Sequence, residues 1–152
     1  DIISSFIDNK RVTDNNKSYS YDDFNIPFSQ PLQWLKDYIR DHVRSEYGFT
    51  LVDKSQHGNV YNPKEKSFIR HQVDPVDLRN SPDYTLVYGT FVGKDSCELV
   101  IEYDDNRRKY RTWNTPIKNN YFYMFPSTQR YFITENKSKQ MNVLLTINYE
   151  FI

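Results

Sequence analysis

Asn120-Tyr121-Phe122-Tyr123-Met124-Phe125-Pro126-Ser127 is the stretch whose reading decides the architecture. Five large apolar side chains run together and stop at a Pro-Ser turn. The run is too short for a helix and rich in the aromatic residues that suit strands, so it reads as a strand over 121–125. Tyr121, Tyr123 and Phe125 alternate with Phe122 and Met124, which makes both faces apolar. Such a strand is either buried on both sides or meets a partner on one.

Working outward, the same signal repeats. Tyr131-Phe132-Ile133-Thr134 and the run over 143–151 follow it. Before it stand strands over 84–92, 98–103 and 110–113, and earlier still Phe49-Thr50-Leu51-Val52, Asn59-Val60-Tyr61 and Phe68-Ile69-Arg70-His71-Gln72-Val73. Asn62-Pro63, Ser81-Pro82-Asp83, Gly93-Lys94-Asp95 and Asp104-Asp105-Asn106 supply turn chemistry between them. Many short strands without alternating helices predict a sandwich or barrel.

One helix precedes the strands. Ser29 is a good N-cap, and Pro31 sits in the first turn, where its missing N–H is harmless. Leu32, Leu35, Ile39 and Val43 recur at spacings of three and four, with Trp34 and Tyr38 read as widening the stripe. Gly48 is the natural stop. Residues 1–27 divide into an apolar start (Ile2, Ile3, Phe6, Ile7), read as an edge strand, and a polar loop over 8–23. The whole of 1–152 reads as a single domain, with helix and strands over 28–152.

The chain carries 20 basic and 20 acidic residues, a balance that argues against gripping nucleic acid. No apolar run reaches the roughly 20 residues of a membrane span. Cys97 stands alone, so no internal disulfide forms; a reducing, intracellular or virion-associated setting is the expectation. The chain starts at Asp1 without a signal-like segment, as a processed product or a piece of something longer. It has no alanine and four glycines, with Asn, Lys, Tyr, Ile and Phe plentiful. That composition suggests AT-rich coding, common in phages and some marine microbes.

The order of His57-Gly58-Asn59-Val60-Tyr61, His71, Tyr88, Glu98-Leu99-Val100-Ile101, Phe125-Pro126-Ser127 and Val143-Leu144-Leu145-Thr146-Ile147-Asn148-Tyr149 resembles the 2-oxoglutarate/Fe(II)-dependent oxygenases. The small phage and marine bacterial forms are the most similar, and the resemblance covers roughly 30–152. It implies a mainly β fold, a double-stranded β-helix (jelly roll) with one N-terminal amphipathic helix. In that family an N-x-Y strand leads to a His-x-Asp/His pair, a Phe-Pro-Ser turn precedes a second His, and the last strand begins with Arg. The three metal ligands leave positions open for 2-oxoglutarate and oxygen. Carried over, His71 matches the first His, whereas Val73 stands where the second ligand belongs. Tyr131, beside Arg130, takes the place of the distal His, and Asn142 that of the Arg. The resemblance thus implies a degenerate site in which His71, Tyr131 and Asn142 converge on a small metal-free pocket, with Tyr131 and Asn142 bonded to each other or to His71.

Other constellations stand beside it. His71, Asp74 and Asp77 in His-Gln-Val-Asp-Pro-Val-Asp form an alternative ligand set, against a plain reading in which both Asp residues cap a solvated turn. His42 lies on the helix and His57 in a predicted loop, too scattered to complete a triad. Cys97 reads as a buried small residue. Glu98, Val100 and Glu102 share a face taken as solvated. Arg107-Arg108-Lys109-Tyr110-Arg111 with Trp113 reads as a charge-paired hairpin, or as a contact for phosphates and bases. No Gly-rich phosphate loop or G-x-S-x-G is present.

The resulting expectation is a non-catalytic oxygenase-fold protein, binding or structural, in an assembly such as a phage particle. Its partners are other protein subunits, on a surface of Tyr121, Tyr123, Arg107, Arg108, Tyr110 and Trp113, with no membrane and no cofactor. The rival is an active oxygenase using Fe(II) and 2-oxoglutarate with unusual ligands; Val73 and Asn142 speak against it. A third reading is a small-molecule or sugar binder using the jelly-roll mouth.

Overall fold

The computed structural model describes residues 26, 29–67, 69–70, 78–103 and 111–151. Helix α1, Gln30–Tyr47, begins where Ser29 accepts a hydrogen bond from the Leu32 N–H and ends at Gly48 with φ 79°. That left-handed conformation is one glycine adopts freely. Among the described residues seven strands follow: β1 (Leu51–Tyr61), β2 (Tyr84–Phe91), β3 (Glu98–Tyr103), β4 (Arg111–Pro116), β5 (Phe122–Pro126), β6 (Arg130–Ile133) and β7 (Asn142–Phe151).

They form two antiparallel sheets, ordered β1-β7-β2-β5 and β4-β3-β6. The segment before residue 71 runs along the free side of β6, with the Ser67 N–H donating to Ile133 O and Arg70 bridging Tyr131. The chain thus passes back and forth between the sheets, the wrapping of a double-stranded β-helix, mainly β with one α-helix among the described residues.

Period-two alternation explains the long apolar runs. On β7, Leu144 packs between the sheets with Val87, Leu99, Phe125 and Ile133. Its neighbours Leu145 and Ile147 face the other way, under Leu32, Ile39 and Val43 of α1. On β5, Phe125 and Tyr123 join the inter-sheet cluster while Phe122 and Met124 pack toward α1. Both faces of β5 are apolar because each meets a different layer.

Four expectations need correction. The two strands read at 49–52 and 59–61 are one, β1, with a register shift between Asp53 and Ser55. His57 is therefore a strand residue opposite Thr146, not a loop residue. A run of polar residues on this edge strand, then Gly58, hid its continuity. Trp34 and Tyr38 do not widen the buried stripe: they are 63% and 60% exposed. Finally, Val100 is buried, because β3 is the middle strand and Val100 is flanked by Asn114 and Phe132.

Candidate functional site

Registers place the inner face residue by residue. Ser55, Asn148 and Thr85 lie in one row across β1, β7 and β2, and His57, Thr146 and Val87 in the next. The first row is a closed polar chain. Thr85 Oγ1 lies 2.8 Å from Ser127 Oγ and donates to Asn148 Oδ1 at 3.0 Å, while Asn148 Nδ2 donates to Ser55 Oγ at 3.0 Å. Thr85, Ser127 and Asn148 are buried, so these groups need internal partners and find one another.

Tyr131 points into the inter-sheet cluster, edge-on to Phe125 with ring centroids 5.2 Å apart. Arg70, paired with Tyr131 through two backbone hydrogen bonds, shares that inner face and is buried. The sequence reading passed over Arg70; an arginine in an apolar strand looks like a solvent-facing residue until its partner strand is known. Asn142 is also buried and inward. Its Nδ2 donates to Ser96 Oγ (3.0 Å) and Cys97 Sγ (3.5 Å), and its Oδ1 accepts from the Gly93 N–H (3.0 Å) and Ser96 Oγ (3.3 Å). The amide thus closes on the 93–97 corner rather than on Tyr131. Burial pushes the Cys97 thiol up to about 11, against a smaller pull from Ser96 and Asn142.

His71, Val73, Asp74 and Asp77 lie outside the described residues, as do Arg107, Arg108 and Tyr110. Among the described residues no three His, Cys, Asp or Glu side chains are grouped to hold a metal. The residues at the distal positions do not fit an Fe(II)/2-oxoglutarate centre. Tyr131 offers a phenol in an apolar cluster where an imidazole is needed, and Asn142 offers an engaged amide where a guanidinium is needed.

Among the described residues, two cavities lie along the seam between α1 and β5. One cavity of about 390 Å³ is lined by His42, Tyr47, Phe49, Tyr84, Phe122 and Met124, among others. A second, of about 310 Å³, is lined by Leu35, Tyr38, Tyr88, Asn120, Tyr121 and Phe122. Phe122 borders both. The rings pack in series: Tyr38 stacks on His42 (5.9 Å), which meets Phe122 edge-on (6.0 Å). Phe49 stacks on Tyr84 at 5.5 Å. Tyr88 donates to Asn120 Oδ1 at 2.8 Å, and burial raises the pKa of its phenol.

Gly89 sets the position of the loop that carries Tyr121. Its backbone N–H donates to Tyr121 O, and a β-carbon there would collide with the Lys118 carbonyl. Tyr121 is exposed, with the Lys118 ammonium 5.6 Å from its ring centroid. Tyr123 is half-buried, its ring on the inter-sheet cluster and its hydroxyl donating to Pro116 O at 2.7 Å. Trp113 shares the inner face of β4 with its partner Ile101 but is half exposed. No helix among the described residues is long and apolar enough to cross a membrane.

No family model and no curated protein matches the chain. Solved structures do. A Pseudomonas putida prolyl-4-hydroxylase superposes with a TM-score of 0.58 at 12% identity, covering 91% of this chain and 74% of that one. A 2OG-Fe(II) oxygenase family oxidoreductase from Burkholderia pseudomallei gives 0.55 at 9% identity, over 83% and 61%. The Drosophila melanogaster CENP-C cupin domain gives 0.45 at 12%, over 96% and 94%. At such identities the first two likenesses show the fold: a double-stranded β-helix of the kind that 2-oxoglutarate oxygenases use.

Proposed function

We propose that this chain is a non-catalytic protein on the oxygenase fold, holding no Fe(II) and no 2-oxoglutarate, that binds other protein subunits within an assembly. The observation that carries this reading is Asn142. Where the family's co-substrate arginine belongs, it is a buried amide whose hydrogen bonds all go to the 93–97 corner. Tyr131, buried against Phe125, supports the same reading. The α1–β5 seam is the binding face, because exposed aromatic rings with polar tips suit protein interfaces. An intracellular or virion setting, a phage particle in particular, suits the alanine-free composition.

The test is anaerobic metal analysis together with an assay for 2-oxoglutarate-dependent succinate release. Neither stoichiometric iron nor turnover is expected. Iron bound with micromolar affinity and lost in His71→Ala would favour the oxygenase with His71, Asp74 and Asp77 as ligands, and would sink this proposal.

A further inference from the structure

The four-stranded sheet has two edges, and their chemistry differs. β1, at one edge, carries Asp53 and Lys54, both ion-paired, and a register shift between Asp53 and Ser55. Charges and bulges of this kind discourage a foreign strand. β5, at the other edge, has neither. No charged residue stands between Lys118 and Arg130, and the pairing of β5 with β2 runs without a shift. The parity of that pairing fixes where the backbone of β5 points. The Gly89 N–H donates to Tyr121 O and the Ser127 N–H to Asp83 O, at the two ends of one antiparallel register. Tyr123 and Phe125 therefore turn their backbone groups toward β2, and Phe122 and Met124 turn theirs away. Among the described residues no strand receives them.

We propose that a second copy of this chain occupies that edge, β5 against β5 in antiparallel pairing about a two-fold axis, joining the two four-stranded sheets into one. The pattern is self-complementary, as a two-fold contact demands. With the axis at Tyr123, Phe122 lies opposite Met124 of the second copy and exchanges both backbone hydrogen bonds with it; Met124 does the same with Phe122 of the second copy. Pro126 then faces Asn120 of the second copy, and neither end strands a donor: proline has no N–H, and the Asn120 N–H is spent on Gly89 O. An uncharged strand meets no like charge across the axis. The side chains agree. Phe122 and Met124 pack on the α1 side of the sheet and border its cavities, so the second copy sets its own pair against an apolar seam. This rests on the chain being a binder of protein subunits and names the subunit; iron and succinate assays do not report self-association, so the two ideas fail separately.

Sedimentation of the full chain tests it. The wild type is expected to run as a dimer that dissociates on dilution. Met124→Pro, which deletes an outward N–H and no bond to β2, is expected to run as a monomer with an unchanged far-UV spectrum. Should that variant unfold, two cysteine variants decide. Tyr123→Cys lies on the axis, where opposed α-carbons are about 4.5 Å apart, and Val52→Cys marks the opposite edge of the sheet, on β1. The native Cys97 is buried and common to both. Oxidation with diamide is expected to link two copies in Tyr123→Cys and not in Val52→Cys. A wild type that stays monomeric at every concentration would overturn the proposal and leave the β5 edge to a strand of another protein. A dimer that persists in folded Met124→Pro, or a link that forms through Val52→Cys and not through Tyr123→Cys, places the contact elsewhere and overturns it too.

Discussion

Two residues have consequences that can be measured singly. The Cys97 thiol is held up to about 11 by burial, from an ordinary value near 9.0. In the unfolded chain the thiol ionises near 9, while in the fold it stays protonated until about 11. The stabilisation it contributes is therefore complete below pH 9 and is lost as pH rises from 9 to 11, on the order of 3 kcal/mol. Burial also raises the Tyr149 phenol, which adds further alkaline lability above its ordinary value of 10.0. Thermal melts from pH 8 to 11 check this: in Cys97→Ala the decline between 9 and 11 should be shallower, and an unchanged decline would refute the assignment. Gly89 acts through space rather than charge. Gly89→Ala should push the Lys118 carbonyl outward, lowering stability by about 1–3 kcal/mol in chemical denaturation. It should also shift the environment of Tyr121. A variant as stable as the parent would mean that the 117–121 loop yields without strain.

Among the elements, α1 was the most legible and still misjudged in part. Ser29, Pro31 and Gly48 mark both ends through local backbone chemistry, which needs no knowledge of the rest of the fold. Its width was not local. Leu32, Ile39 and Val43 are buried, Leu35 is half-buried, and Trp34 and Tyr38 stand outside. Ile39→Ala should cost about 2–5 kcal/mol, Leu35→Ala less, and Trp34→Ala within about half a kcal/mol of the parent. Equal losses at Ile39 and Trp34 would show that α1 is rotated from this orientation. The strands divide in the same way. Central β7, with Val143, Leu145, Ile147 and Tyr149 alternating along one face, announced itself, while edge strand β1 concealed a polar half. The inward arginine, Arg70, was illegible because the face it takes is set by its pairing with Tyr131, a residue distant in sequence. The partners of Asn142, Ser96 and Cys97, come from a turn that only the fold brings near.

At the scale of the whole molecule, the position of β7 governs more than packing. It is an inner strand of the four-stranded sheet, joined to β1 on one side and β2 on the other, and it supplies Leu144 to one core and Leu145 and Ile147 to the other. β1 and β7, the first and last of the described strands, are neighbours, so the sheet beneath α1 has a gap until Asn142–Phe151 is available. Ribosomal synthesis at about 5–20 residues per second puts roughly 3–12 s between the end of β2 and the end of β7. Throughout that interval α1 has lost much of its floor, and β1 and β2 present bare edges of the kind that recruit foreign strands. Production of this protein should accordingly be limited by what shelters the unfinished polypeptide, and slower translation or lower temperature should trade against holdase chaperones rather than against the stability of the finished fold.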